Sequence, residues 1–145
     1  MQVSKILFAS LMVGLIASNS YAAAVKTDQT ISYKNQRGST LSLNFDQAKN
    51  NTGSLSGTFI TAVGNCQADM NKPMPVTGYF NNNVIALSIN FPDCKQVVSM
   101  TGYLMPDKSH LKTLWLSTAV VANPNTTDWD SNAVGTDWYT RIGQK

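Results

Sequence analysis

Leu55-Ser-Gly-Thr-Phe-Ile-Thr-Ala-Val-Gly-Asn65 is the stretch from which the fold can be worked out. Side chains alternate between the two faces of a strand, so Leu55, Phe59 and Val63 share one face, with Thr61 as the only hydroxyl on it. The stretch therefore predicts a long strand over residues 55–63, followed by a Gly-Asn turn. A single hydroxyl on an apolar face beside a turn indicates the wall of a ligand pocket. A core strand that tolerates a threonine is the alternative.

Seven further segments show the same short, β-favouring pattern, and no stretch has a helical period. Polar turns rich in Asn, Gly and Pro separate them at hairpin spacing; the longest are predicted at 46–53, 67–75 and 122–131. The eight predicted strands are 30–33, 40–45, 55–63, 76–81, 84–91, 97–104, 111–121 and 134–142. They predict an all-β fold, an eight-stranded antiparallel up-and-down barrel, because closure removes exposed sheet edges. A sandwich is the structural alternative.

Residues 1–24 have the features of a secretory signal peptide. Lys5 precedes an apolar run at 6–17 that is too short to span a bilayer, and small residues allow cleavage near Ala22 or Ala24. We therefore expect an exported protein, secreted or periplasmic. Residues 25–145 then form a single domain of about 120 residues with one modest core.

Charge and cysteine content exclude several classes of function. The formal net charge is +3 without a basic cluster, so neither nucleic-acid binding nor membrane-surface binding is supported. Cys66 and Cys94 are the only cysteines, and export favours a disulfide between them. That bridge would close a loop of about 30 residues and stabilise the fold by roughly 3 kcal/mol. No metal site is expected, since the single histidine, His110, lies in a polar run that predicts a solvated turn.

Four polar residues form a set that can recognise an amide. Asn35 and Ser39 flank the first turn and offer donors, whereas Thr61 and Asp137 offer acceptors. A carboxylate in a strand as apolar as 134–142 needs a partner, and Arg141 shares its face if the strand is regular. Such a set could clasp a planar urea or amide, with Trp115 and Trp129 beside it as flat apolar surfaces. Taken singly, each residue also has an ordinary structural role, as a turn former, a surface acid or a core aromatic.

Six motifs in order resemble those of avidins and streptavidin, β-barrel proteins that bind biotin. They are Tyr33-Lys-Asn-Gln-Arg-Gly-Ser39, Gly57-Thr-Phe-Ile-Thr-Ala-Val63 with the following Gly64-Asn65, Thr101-Gly102, Lys112-Thr-Leu-Trp115, Asp128-Trp129 and Val134-Gly-Thr-Asp137. The resemblance extends from about residue 33 to 142. It implies a non-enzymatic protein that sequesters biotin, with no cofactor.

The resemblance also implies roles for individual residues. Asn35 and Ser39 would donate to the ureido oxygen of biotin, and Thr61 and Asp137 would accept from its N–H groups. The carboxylate would polarise the ureido group and strengthen the bonds to its oxygen. The apolar wall around the ring and valeryl chain would be Val63, Phe91, Met100 and Trp115. Gly64 would belong to the site on the following loop, from which Asn65 would reach the biotin carboxylate. Trp129 would cap the site of a neighbouring subunit, which implies a homo-oligomer.

Several pocket positions depart from the family pattern. Phe59 replaces a tyrosine donor to the ureido oxygen, Val98 replaces a threonine near the ring sulfur, and Gln96 replaces a serine near the carboxylate. Phe91 and Met100 stand where tryptophan or another aromatic is usual, and Ser117 stands where leucine is usual. A lost hydrogen bond costs about 0.5 to 1.5 kcal/mol net, so we expect binding weaker than that of the tightest members.

The cysteines resemble the disulfide of dimeric bacterial avidins, which lack the tryptophan from a neighbour, so both dimer and tetramer remain possible. Two other functions also stay open. One is an avidin-like barrel retuned to another small ligand containing a urea or amide; the other is an exported barrel that inhibits a protease. Hydrolysis is not expected, because no serine, histidine and acid constellation with motif context is present.

Overall fold

Eight antiparallel strands form a closed barrel in the computed structural model, each paired with the next in sequence and β8 paired with β1. The structure describes residues 30–121 and 131–143, with only the backbone described at 47–49. The strands are β1 Thr30–Asn35, β2 Thr40–Lys49, β3 Thr52–Ile60, β4 Pro73–Asn81, β5 Val84–Phe91, β6 Gln96–Leu104, β7 His110–Ala119 and β8 Asn132–Ile142. The predicted all-β, up-and-down barrel is confirmed, and the sandwich is excluded.

Alternating side chains fill one end of the barrel and leave the other hollow. In β5, every second residue from Ile85 to Phe91 is buried, as the period of a strand requires. Tyr33, Leu41 and Leu111 are completely buried and pack in the filled part. The β1–β2, β3–β4 and β5–β6 connections lie together at the hollow end, since alternate connections of an up-and-down barrel share an end. We call it the open end.

Strand β3 ends at Ile60, so its predicted continuation to residue 63 is wrong. Ile60 pairs with Pro73, the first residue of β4, and beyond that pair the chain has no neighbouring strand to bond with. The predicted loop at 46–53 is also wrong for most of its length. β2 continues to Lys49 and β3 begins at Thr52, with Asn50 and Asn51 forming a tight turn at φ angles of 49° and 56°. Asparagine tolerates this left-handed conformation.

Other strand ends move by a few residues. β1 reaches Asn35, β4 begins at Pro73 rather than 76, and β8 begins at Asn132. His110, expected in a solvated turn, is instead the first residue of β7. It is half-buried, with its ring 5.4 Å from that of Trp138.

A disulfide ties two connections together at the open end. Cys66 of the β3–β4 connection is bonded to Cys94 of the β5–β6 turn, with their Cα atoms 5.9 Å apart. The backbone N–H of Cys94 also donates to Asp69 Oδ2 at 2.8 Å, a second link between the same segments. The expected disulfide is therefore present. The expected signal peptide lies outside the described residues, and within them no helix is long and apolar enough to cross a membrane.

Candidate ligand-binding site

A cavity of about 620 Å³ opens at the hollow end of the barrel. Its volume lies within the range usual for small-molecule sites. Trp129 lies outside the described residues, and every other residue that the sequence predicted for the site lines this cavity. They are Asn35, Ser39, Phe59, Thr61, Val63, Gly64, Asn65, Phe91, Gln96, Val98, Met100, Trp115, Ser117 and Asp137.

Asn35 is fixed as a hydrogen-bond donor toward the cavity. It ends β1, and the turn that follows is closed by Gly38, whose φ of 94° favours glycine. Its side-chain Oδ1 accepts from the backbone N–H groups of Arg37 at 3.0 Å and Ser39 at 2.8 Å. Both lone pairs of Oδ1 are thereby used inside the turn. The Nδ2 group lies near the Tyr139 hydroxyl and has a second proton that it can donate to a ligand.

Local hydrogen bonds also set the roles of two hydroxyls. The backbone N–H of Ala62 donates to Ser39 Oγ at 3.0 Å, which leaves the Ser39 proton free to donate. Thr61 has the opposite arrangement, because its hydroxyl donates to the carbonyl of Val63 at 2.5 Å. The Thr61 oxygen keeps lone-pair capacity for a ligand N–H. The two hydroxyls therefore present one donor and one acceptor.

Asp137 faces the barrel interior and is partnered by the β1–β2 turn. Gln36 Nε2 donates to Asp137 Oδ1 at 3.0 Å, and Arg37 Nε lies 3.7 Å from the same oxygen. The Gln36 amide is oriented because its Oε1 accepts from the backbone N–H of Trp138. Both contacts with the carboxylate use Oδ1, and no described residue makes a hydrogen bond of normal geometry with Oδ2.

The prediction that Arg141 is the partner of this carboxylate is wrong. Arg141 lies four residues further along β8, a separation of about 13 Å along a strand, toward the filled end of the barrel. The actual partners come from the other end of the chain, because β1 and β8 are adjacent only after the barrel closes.

The remaining wall of the cavity is apolar and aromatic. Phe59 and Phe91 meet edge to face, with ring centroids 6.2 Å apart. Trp115 lies directly against Gly135, where a Cβ would come within 2.4 Å of an indole carbon. The guanidinium of Arg37 sits 5.9 Å from the centre of the same indole ring. Because Gly135 has no side chain, the indole of Trp115 can lie against it and present its flat surface to the cavity.

The cavity mouth is polar and partly exposed. Gln96 Nε2 donates to Ser117 Oγ across β6 and β7. Val63 was predicted to lie on strand β3 but lies on the connection that follows it, and its side chain is 42% exposed. Gly64 and Asn65, on the same connection, are also exposed. Sequence reasoning did not identify several other lining residues: Arg37, Cys66, Asp69, Cys94, Ala119, Ser131, Asn132 and Ala133.

The signals for these missed residues differ. Arg37 lies in the turn between Asn35 and Ser39, two predicted site residues, and its position there could have identified it as a further residue of the site. Asp69 is buried although it belongs to a polar loop, and nothing in its local sequence distinguishes it from a solvated acid. Within the described residues, no group of acids, histidines and cysteines is arranged to hold a metal ion. The cavity is therefore suited to a ligand that combines a small neutral polar group with a larger apolar part.

Comparisons with known proteins agree with this architecture. The sequence profile described as Avidin family matches residues 23–142. The fold is similar to that of core-bradavidin, with 26% sequence identity and a TM-score of 0.64 over 79% of this chain and 100% of that one. It is also similar to apo shwanavidin (23% identity, TM-score 0.65, 82% of this chain and 99% of that one) and to rhizavidin in its biotin complex (23%, 0.63, 81% and 96%). The last two similarities show the fold.

Proposed function

Because the chain belongs to the avidin family, we propose that it is a non-enzymatic protein that binds biotin without a covalent bond. The rhizavidin structure to which its fold is similar is a biotin complex. The ligand would enter at the open end, with its ureido group deepest and its carboxylate near the mouth.

The pattern of donors and acceptors is the observation that carries this proposal. A ureido group has one acceptor oxygen and two N–H donors. Asn35 and Ser39 each have a donor left over after their local bonds, and Thr61 has acceptor capacity left over. Asp137 adds a charged acceptor, whose hydrogen bonds are about twice as strong as neutral ones. The set complements a ureido group in both number and kind.

The same cavity supports an affinity below the family's best. Phe59 brings no hydroxyl and Val98 brings no hydrogen-bonding group, while Gln96 is already bonded to Ser117. Each missing hydrogen bond is worth about 0.5 to 1.5 kcal/mol, and every 1.4 kcal/mol is tenfold in affinity. Two or three such losses lower the affinity by about one to three powers of ten.

Calorimetric titration of the mature, oxidised protein with biotin tests the proposal. We expect one biotin per chain, and Asp137→Ala should weaken binding roughly tenfold to a hundredfold, since a hydrogen bond to a charged group is lost. Asp93→Ala is the matched control: this carboxylate lies at the same end but is exposed and pairs with Lys72 at 3.0 Å. Absence of binding heat and of thermal stabilisation by biotin would refute the proposal.

A retuned ligand is the second candidate, and the position of Arg37 favours it. A guanidinium over Trp115 and close to Asp137 places a positive charge where the ring of biotin would pack. A ligand with an additional acceptor beside its urea or amide would use that charge. Titration with a panel of small cyclic ureas and amides separates the candidates: for the retuned site, one of them binds more tightly than biotin, and Arg37→Leu removes that preference.

We also propose that the protein is a homo-oligomer. The outer surface of β6–β8 carries large apolar side chains that neighbour one another across the strands, and we call it the outer apolar face. Leu116 pairs with Val134, and Leu114 lies between Thr101 and Thr136. Leu114, Leu116 and Val134 are each about half exposed or more. Contiguous apolar surface of this kind is uncommon on monomers and supports association with a second copy.

Light scattering coupled to size-exclusion chromatography tests the assembly. Leu116→Glu combined with Val134→Lys should reduce the mass to a monomer, or to a dimer if a tetramer forms. Tyr79→Lys on β4 is the control, because it also changes an exposed large side chain but lies away from the outer apolar face. A monomeric mass for the unaltered protein would refute the proposal.

Export to the periplasm or the exterior is part of the same proposal. The Cys66–Cys94 disulfide supports it, since such bonds persist mainly in oxidising compartments. Mass spectrometry of the protein from the exporting cell should find a mature N-terminus just after Ala22 or Ala24. A full-length, reduced chain would contradict export.

A further inference from the structure

Two buried hydroxyls lie beneath the candidate site, on the inner face of the barrel next to Asp137. Thr113 is its cross-strand partner on β7, and Tyr139 follows two residues later on the same face of β8. Tyr139 is also the cross-strand partner of Asn35. Neither residue lines the cavity, and Tyr139 belongs to the packed core, so the two form a layer at the top of the core directly beneath the cavity.

Neither hydroxyl makes a hydrogen bond of normal geometry with a described residue, although the Asn35 amide and the Asp137 carboxylate lie near enough to the Tyr139 hydroxyl to shift its pKa. Tyr139 is fully buried and Thr113 nearly so, and water does not reach either oxygen. A buried polar group without a partner is costly to the fold. Apolar side chains of the same shape, phenylalanine and valine, would avoid that cost, so packing alone does not account for these two residues.

Asp137 is the charged residue that relates to both hydroxyls, because it pairs with Thr113 across the strands and acts on the Tyr139 phenol more strongly than Arg37 does. Its carboxylate lies close enough to Tyr139 to raise the pKa of the phenol, in addition to the larger increase caused by burial. Tyr139 is therefore a neutral phenol with a proton to donate. The Oδ1 atom of Asp137 is occupied by Gln36, so a donor from below complements the oxygen that receives a ligand.

We propose that Tyr139 and Thr113 are positioning residues for Asp137. When a ligand N–H engages this carboxylate, the two hydroxyls donate to it from below and hold it in line with the ligand. The inference rests on the proposed function and extends it. In this scheme the layer adds donors on the β7–β8 side of a cavity that lacks the hydroxyl at Phe59. The unliganded protein bears the cost of two unpaired hydroxyls, and the complex recovers it.

Biotin titration and thermal unfolding of Tyr139→Phe and Thr113→Val test this scheme. Each substitution should weaken biotin binding roughly tenfold, since it removes a hydrogen bond to a charged group. The unliganded variants should melt at the same temperature as the unaltered protein or higher, because an unsatisfied polar group has been removed. If a hydroxyl had only a structural role, its removal would not produce this combination of weaker biotin binding and unchanged or higher thermal stability.

Tyr33→Phe is the matched control. Tyr33 is equally buried, but its hydroxyl donates to the carbonyl of Lys108 at the filled end of the barrel. Its loss should lower the melting temperature and leave biotin affinity unchanged. The second control is the Asp137→Ala background, where Tyr139→Phe should change affinity by less than about twofold, because contacting residues couple and independent ones do not.

Three results would overturn the inference. Unchanged affinity in both Tyr139→Phe and Thr113→Val removes the role, and so does an equal loss of affinity with and without the Asp137 carboxylate. If the unaltered protein binds no biotin, the proposed function fails and this role fails with it. Normal biotin binding by the unaltered protein and by both variants means that only this inference is wrong.

Discussion

Removal of the Cys66–Cys94 disulfide should lower the stability of the barrel substantially while leaving its fold intact. The bond joins the β3–β4 connection to the β5–β6 turn, and the hydrogen bond from Cys94 N to Asp69 Oδ2 holds the same segments together without it. The native geometry therefore has a second tie. Most of the effect of the bond should fall on the unfolded chain, whose freedom it restricts.

The sequence separation of the two cysteines sets the size of the effect. They are 28 residues apart, and the chain-entropy relation gives about 3.5 kcal/mol for a loop of this length. For a domain of about 120 residues, that loss lowers the melting temperature by on the order of 10 °C. Alanine is the appropriate replacement, because Cys94 packs against the hydrophobic core, where a serine hydroxyl would be an additional burden.

Calorimetric melting of Cys66→Ala/Cys94→Ala, with and without a reducing agent, measures the effect. The reductant should lower the melting temperature of the unaltered protein to that of the double variant and should not change the variant itself. Circular dichroism should show the same strand content in both. A decrease of only two or three degrees would mean that the bridge does not restrict the unfolded chain as argued; loss of the strand signal would mean that Asp69 does not hold the two segments.

Three other substitutions test separate parts of the structure. Gly135→Ala should displace the indole of Trp115 into the cavity, which changes tryptophan emission and weakens biotin binding at least tenfold; unchanged fluorescence would contradict the contact. Burial raises the pKa of Tyr33 to about 12, so the neutral phenol stabilises the fold below pH 10 and that stability is lost as pH rises from 10 to 12. Denaturant melts of Tyr33→Phe should therefore show a shallower alkaline loss of stability than the unaltered protein, and equal slopes would contradict it. Phe59→Tyr should tighten biotin binding by up to about tenfold if its hydroxyl reaches the ureido oxygen, and weaker binding would mean that Phe91 occupies that space.

The strand interiors were predictable from the sequence because they obey the period of two. Every second residue of β5 is buried, and the hydrophobic pattern alone gives that arrangement. The ends of strands were less predictable, because a strand ends where its neighbour does. Ile60 is the last residue of β3 since Pro73 is the first of β4, a relation between positions that are distant in sequence.

Polar composition caused the largest error in the fold. The mainly polar composition of residues 46–49 predicts a loop, yet their backbone continues β2. The turn itself, Asn50 and Asn51, uses the same asparagine signal that correctly located the hairpin around Asn82. The tight turn was therefore recognisable, and a polar strand next to it was not, since strand residues that face water have no hydrophobic period to reveal them.

The membership of the site was predictable to a greater degree than its internal contacts. The family resemblance predicts most of the lining residues, whereas the local period of β8 predicts Arg141, wrongly, as the partner of Asp137. The true contact, from Gln36, spans 101 residues and exists only because β1 closes the barrel against β8. The two unpaired hydroxyls below the site are equally invisible in the sequence, since threonine and tyrosine are ordinary strand residues.

Local hydrogen bonds explain how this cavity can be selective before any ligand arrives. Asn35, Ser39 and Thr61 each commit one part of their hydrogen-bonding capacity to the backbone, and the part left over has a defined role. A ligand with its donors and acceptors exchanged would place its own donors against the donors of Asn35 and Ser39. Each buried polar group left unpaired would then lower the binding free energy by about 1 to 3 kcal/mol. On the proposed function, the turn after β1 and the connection after β3 would therefore fix which polarity of ligand is accepted. The side chains of the apolar wall that depart from the family pattern would then change the affinity and leave that polarity unchanged.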